Sequence, residues 1–391
     1  MQKFFYRWLI LIIAFSSSMA VPIAMLEMPP LLPVLVKLWK IPLHMLSFYA
    51  MTSYGLGAII ASIPFALVSP RLGPKYAGVI CLSIAFIGTL INLLVPSIYG
   101  LFIGRIIGGF ALGLVYLYPI SALNIWFSPE EMGLVVGIWS IFLPVSGLLI
   151  FVVVPIIISS YGLISVYLFT FMWTLISLII WTIFFKTPPQ KSSFQPKIKS
   201  SSIGIKNVFL SRNVWLLVFI FFAFSYSFFG LTTYAPTYFV NIGKFKLFTA
   251  SIIGIIPAAI IIVAPLFGWL SDKIKSRKKF LFIGALGTFL LAFVILLLPV
   301  VPVYWIMIFI FLGIFWAMTP PMVFAIPSEI VNPSLVGAVT GLLSFDTGVA
   351  LVLSTIIVVP LISIIGWQWS LTSMFFLQGV SIFAIFAIKI K

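Results

Sequence analysis

Apolar windows of 18 or more residues recur along the whole of this chain, and each is long enough to cross a hydrocarbon layer about 30 Å thick as a helix. No other feature restricts the fold so strongly. Lipid offers no hydrogen bonds, so a spanning backbone must satisfy its own N–H and C=O groups, which only helices and closed barrels do. A barrel strand alternates polar and apolar residues. These windows are apolar all round, so the spans are helices. Composition agrees: 63% of the residues are hydrophobic and 7% charged, against about a quarter charged in a soluble domain.

Charges, prolines and glycines divide the chain into twelve expected spans, at 8–34, 44–68, 76–96, 100–127, 132–158, 163–185, 213–241, 248–271, 279–298, 303–326, 335–365 and 367–388. The one long hydrophilic connection, KTPPQKSSFQPKIKSSSIGIKNVFLSRN at 186–213, has the Ser, Pro and Lys content of a linker. It is expected to separate an N-terminal six-helix bundle, residues 1–185, from a C-terminal one, residues 213–391, with 186–212 as a cytoplasmic linker. The opening MQKFFYRWLILIIAFSSSMA imitates a secretory signal, but its apolar run continues through VPIAML and reads as an uncleaved first helix.

A net charge of +16 would point to nucleic acid in a soluble protein; here its placement reports topology, because cytoplasmic loops collect Lys and Arg. With the N-terminus inside, seventeen cations fall on the cytoplasmic side and four, Lys37, Lys40, Lys244 and Lys246, outside. Both termini and the linker are therefore expected in the cytoplasm. A single Cys81 excludes an internal disulfide, and a single His44, expected at the outer end of span two, excludes a His-based metal cage. The six acids, Glu27, Glu130, Glu131, Asp272, Glu329 and Asp346, are scattered, which speaks against a metal-dependent membrane enzyme. No GxxxxGK[ST] nucleotide motif is present.

The halves repeat. ALVSPRLGPK (66–75) matches GWLSDKIKSR (268–277) at an offset of 202, pairing Ser69 with Ser271 and Arg71 with Lys273. Gly133, Gly137 and Ser140 match Gly337, Gly341 and Ser344 at an offset of 204. Six spans separate the copies, so both halves enter the membrane in the same sense, a parallel repeat about an axis along the membrane normal.

With these motifs the chain resembles the major facilitator superfamily of secondary transporters over essentially its full length. The loop signature is carried by Gly268, Leu270, Asp272, Lys273, Arg277 and Lys278, whereas the first copy departs from it with Ala66 and Pro70. Span four carries RIIGGFALG, with Arg105, Gly108, Gly109 and Gly113, and span five carries GIWSIFLPVSG, with Gly137, Pro144 and Gly147. The resemblance implies an all-α membrane protein with twelve transmembrane helices in two six-helix bundles around a cavity that opens alternately to each side. It implies a monomer in the plasma membrane, moving a small-molecule substrate with no cofactor and no nucleic-acid partner. It also makes Asp272, Lys273, Arg277, Arg71, Gly109 and Pro144 gating candidates, with Asp272 latching the outward-open state from the cytoplasmic end of span eight.

Charges within a membrane cost about 2.5–3.5 kcal/mol each on insertion scales and are functional candidates by default. Arg105 and Glu27 are expected at comparable depth toward the outer side and, since the resemblance has spans one and four both lining the cavity, facing one another as a pair that substrate or a proton breaks. The alternatives are a permanent structural ion pair, or a Glu27 that snorkels to the outer interface at the MPPLLP break. Asp346 lies about eleven residues into span eleven, where the first half has Phe142. It is expected to carry a proton or contact a cation, or else to be a neutral carboxyl bonded to Ser344, Thr347 or a neighbouring helix. Tyr116, eleven residues after Arg105, is expected on the same helix face. Tyr234 and Trp316 are cavity candidates by the same resemblance, rings with polar tips that suit an organic solute. The sequence thus points to a proton-coupled secondary transporter. The alternatives are a transporter-like sensor without turnover or a membrane-embedded enzyme on a lipid substrate.

Overall fold

The computed structural model describes residues 2–127, 131–186, 208–331 and 335–389. Most of the expected linker and the Arg71 side chain lie outside the described residues. Among them there is no strand, and twelve helices are long and apolar enough to cross a membrane. In chain order these spans are Tyr6–Trp39, Leu43–Ala66, Leu72–Leu94, Ile98–Trp126, Val135–Tyr161, Leu163–Phe184, Arg212–Asn241, Leu247–Ile274, Arg277–Leu297, Pro302–Ala325, Val336–Ile365 and Trp367–Ala387.

Half of the spans are interrupted, and outside span two the interruptions sit near prolines, whose missing N–H leaves the carbonyl four residues back without its helical donor. Span one bends at Met19 and Glu27, ahead of Pro22 and of Pro29 and Pro30. Span four winds tighter over 113–116, where Leu114 donates to Ala111 O and Leu117 to Leu114 O and Pro119 cannot donate to Val115, and span eight tightens to a 3₁₀ turn at Ile261–Val263 ahead of Pro265. Span ten breaks at Met318 before Pro320 and Pro321. Span two instead carries a π-helical turn at Phe48–Thr52, a rare element that is frequent at functional sites.

The internal repeat extends to backbone conformation. Six described residues have positive φ: Lys40, Gly73, Gly162, Lys244, Lys275 and Gly366. They form three pairs, Lys40 with Lys244 and Gly162 with Gly366 at an offset of 204, and Gly73 with Lys275 at 202. Left-handed residues end helices by freeing the chain to turn, so both halves turn at the same places. Gly162 and Gly366, both at φ 80, join spans five to six and eleven to twelve with one residue each.

Within each half, close helix approach depends on glycine. A Cβ on Gly109 would collide with the Tyr54 carbonyl of span two, and one on Gly313 would collide with Ile260 and the Pro257 carbonyl of span eight. These two glycines are 204 residues apart, so Gly109, expected in gating, occupies a repeated packing position inside the first half. Gly104 and Gly108 receive span three at Gly88.

Candidate functional site

Arg105 and Glu27 meet in the interior of the first half. Arg105 Nη2 lies 2.6 Å from Glu27 Oε1, and the side chains are 1% and 0% exposed. The local sequence explains the position. Pro29 cannot donate to the Met25 carbonyl, and Arg105 Nη1 takes that role, donating to Ala24 O at 2.5 Å and Met25 O at 3.4 Å. The guanidinium also lies 5.6 Å from the centre of the Tyr54 ring, within cation–π range. Thr170 of span six stands beside the carboxylate, although its hydroxyl donates to Tyr167 O at 3.1 Å. Spans one, two, four and six thus enclose the pair. Glu27 Oε2 and Arg105 Nε have no hydrogen-bond partner.

Tyr116 does not share the Arg105 face. The overwound backbone at 113–116 rotates it off that face, and its ring sits 6.0 Å from Phe324 of span ten, across the interface between halves, with Trp139 and Phe142 of span five beside it. Phe324 in turn lies 5.6 Å from Phe221 of span seven. A cluster of aromatic rings therefore bridges the halves.

Asp346 is 4% exposed, belongs to no ion pair among the described residues, and has no partner on Oδ2. The two hydroxyls that were candidates to bond it turn to their own helix: Ser344 donates to Thr340 O at 3.1 Å and Thr347 to Leu343 O at 3.0 Å. The span-eleven face that meets span two runs through Gly341, Gly348, Val352 and Thr355. At about 100° per residue, Asp346 points away from that face, toward the side on which span eleven packs against spans seven and twelve. Trp316 is buried at a similar depth, nine residues from the inner end of span ten, with Phe224, Phe228 and Phe375 around its ring. Its indole N–H is unpartnered. The Tyr234 hydroxyl is also unpartnered and stands beside Ser47 of span two.

Two of the seams between the halves are lined by glycine. Along spans two and eleven, Thr52 and Thr355 share a hydrogen bond at 2.6 Å, Gly55 backs onto Gly348, and a Cβ on Gly341 would come within 2.6 Å of Ala66. Along spans five and eight, Gly147, three residues after the buried Pro144, faces Ile255, and Gly137 faces Pro265. No ion pair crosses between the halves among the described residues. Asp272, Lys273 and Arg277, expected to act in gating, sit where spans eight and nine meet, within the second half. Asp272, 67% exposed, lies 3.4 Å from Arg277, whose Nε also bonds Glu329, while Lys273 lies over the Trp269 ring. A cavity of about 430 Å³ opens beside this cluster, lined by Ser271, Lys275 and Lys278 among others. His44 is exposed and lines an outer crevice of about 310 Å³ between spans two and eleven, with Phe48, Thr52 and Thr355.

Residues 8–355 match the sequence signature of the Major Facilitator Superfamily. The chain belongs to the Major Facilitator Superfamily. It is accordingly a multi-pass membrane protein of a transporter family. An uncharacterized transporter of Buchnera aphidicola subsp. Schizaphis graminum is 30% identical over 171 residues, which are 44% of this chain and 41% of that relative. The match thus spans about two-fifths of the relative's length. Two structures of a bacterial homologue of the human lysosomal transporter Spinster, both inward-facing, share the superfamily fold. The unoccupied form has a TM-score of 0.79 at 14% identity, the occupied form 0.76 at 13%, each covering 98% of this chain and 97% of the other.

Sequence reasoning missed the Thr52–Thr355 contact, Asn92 of span three against Gly104, and the polar groups of span six near Glu27. Neither carries a charge, and unpaired hydroxyls in a membrane helix are an ambiguous signal because they bond their own backbone.

Proposed function

We propose that this protein is a secondary active transporter that carries a small organic solute by alternating access and is driven by a proton gradient. The uncharged, glycine-lined seams support the alternation, since contacts of this kind separate and re-form without leaving a buried charge exposed. Tyr116, beside Phe324 of the second half, and Tyr234, beside Ser47 of the first, support an organic solute, since rings with polar tips suit one. We place the protein in the plasma membrane with both termini in the cytoplasm, following the distribution of seventeen cations against four. The chain divides at 186–212.

The observation that carries the proton reading is Asp346: a buried carboxyl in no ion pair among the described residues, with no hydrogen-bond partner on Oδ2. A packing role would leave that group satisfied, because an unpaired polar group in a low-dielectric interior is costly. A proton or a cationic solute group satisfies it, and its presence or absence then differs between states. Glu27 is the second candidate, because a proton on its carboxyl would weaken the hold of Arg105 on span one. Asp272, Lys273, Arg277 and Arg71 would set the balance between inward and outward forms from the cytoplasmic side.

The test is a thermal-stabilisation screen of the purified protein with anions, amines and neutral solutes, followed by uptake into proteoliposomes with and without a pH gradient. Accumulation that follows the pH gradient is expected, and Asp346→Asn should abolish that dependence. A ligand that stabilises the protein yet shows no counterflow would make it a sensor instead.

A further inference from the structure

Among the buried polar atoms of the first half that lack a hydrogen-bond partner are Glu27 Oε2, Arg105 Nε, Asn92 Oδ1 and Tyr167 OH. They belong to spans one, four, three and six. Tyr167 lies within electrostatic range of both Glu27 and Arg105, and Asn92 Oδ1 abuts Gly104, the residue before Arg105. Thr89 and Thr174 tie spans three and six together at 2.9 Å. The set leads outward, with Asn92 two residues from the outer end of span three at Leu94 and Tyr167 four from the outer end of span six at Leu163. Glu27 Oε2 and Asn92 Oδ1 accept, Arg105 Nε donates, and a tyrosine hydroxyl does both. Such a mixture is what internal water completes, since a buried water bonds two to four polar partners.

We propose that these groups hold internal water and form a route by which protons reach Glu27 from the outer face, inside the first half and apart from the space between the halves. It rests on the reading of Glu27 as a proton acceptor. A proton enters from outer bulk water, passes along the internal waters and is accepted by Glu27 Oε2; Arg105 keeps its charge throughout. The groups facing Glu27 from the helices packed on it are Arg105 of span four, Tyr54 of span two and Tyr167 of span six. Span five adds only Tyr161 at its outer end, and the rest of span one only Tyr6, Arg7 and Lys37 toward its ends. A route of this kind lets a proton arrive while solute fills the path between the halves.

Radiolytic hydroxyl labelling of the full chain in micelles tests the water, because labelling of a buried ring requires bound water beside it. Tyr167 should be labelled several-fold more than Tyr118, which is equally buried but donates to Ser17 Oγ at 3.3 Å. Equal labelling overturns the proposal. Time-resolved infrared spectroscopy after an acid jump tests the route: the carboxyl band lost in Glu27→Gln belongs to Glu27, and Tyr167→Phe and Asn92→Leu should each slow its rise several-fold. An unchanged rise in both variants overturns the route and leaves proton uptake by Glu27 standing. Absence of a Glu27 band in the unaltered protein overturns that uptake and the route with it.

Discussion

The Glu27–Arg105 pair makes an asymmetric prediction. A carboxyl can take up a proton and shed its charge, whereas a guanidinium cannot. Glu27→Gln keeps the shape of the site but leaves Arg105 as a buried cation whose remaining acceptors are the Ala24 and Met25 carbonyls. Removing one partner of a buried pair costs about 3–5 kcal/mol. With an unfolding entropy of ~2.1 cal/mol/K per residue over 391 residues, that corresponds to a fall of about 4–6 °C in Tm. Arg105→Met leaves the carboxylate unpaired instead, and protonation relieves it. This variant should therefore melt higher at pH 5 than at pH 8, while Glu27→Gln shows the same deficit at both. The double variant Glu27→Leu, Arg105→Met should recover most of the loss. The recovery stops short by about 1–3 kcal/mol, the cost of leaving the Met25 carbonyl with neither Pro29 nor Arg105 to bond it. Intrinsic tryptophan fluorescence of the purified protein during heating reads all four. A Glu27→Gln protein melting within 1 °C of the parent, or equal single variants at both pH values, would refute the argument from the buried pair.

Three further outcomes follow from the geometry. Thr52→Cys with Thr355→Cys should form a disulfide under mild oxidation, because the two hydroxyls stand 2.6 Å apart, and transport should stop until reductant is added; gel mobility after cleavage within the central linker checks the bond. Asp346→Asn should raise Tm, by about 1–3 kcal/mol of stability, since it removes an unpartnered carboxyl from the interior; a fall of that size would mean that Asp346 has a partner in the native protein. Asp272→Asn should change stability by less than ~1 kcal/mol, as an exposed pair contributes little, and should act on the inward–outward balance, read as cysteine accessibility on the two faces.

The spans were legible because lipid imposes its requirement locally. Span six was expected at 163–185 and lies at Leu163–Phe184; span twelve was expected at 367–388 and lies at Trp367–Ala387. Span one was read too short, ending at 34 instead of Trp39, because MPPLLP looks like a break. In the fold Pro29 and Pro30 start a new helical segment, and a side chain 80 residues away holds one of the carbonyls they abandon. Tyr116 was misplaced for a related reason: helix-face arithmetic holds only along an unbroken helix, and Pro119 breaks this one. Whatever one segment settles alone could be read; whatever needs a partner from a distant span could not.

The repeat separates what serves the fold from what does not. Turns recur in both halves, as Lys40 with Lys244 and Gly162 with Gly366, and so does the glycine packing of Gly109 and Gly313. The buried charges do not recur. At the offset of 204, Glu27 corresponds to Leu231, Arg105 to Phe309 and Asp346 to Phe142, and all three counterparts are buried apolar side chains. Since each half folds with apolar residues at those places, neither a charge at Glu27 and Arg105 nor one at Asp346 is required by the architecture. The first half holds an acid and a base that neutralise each other, the second an acid alone, and a mechanism that moves one positive charge needs that kind of imbalance.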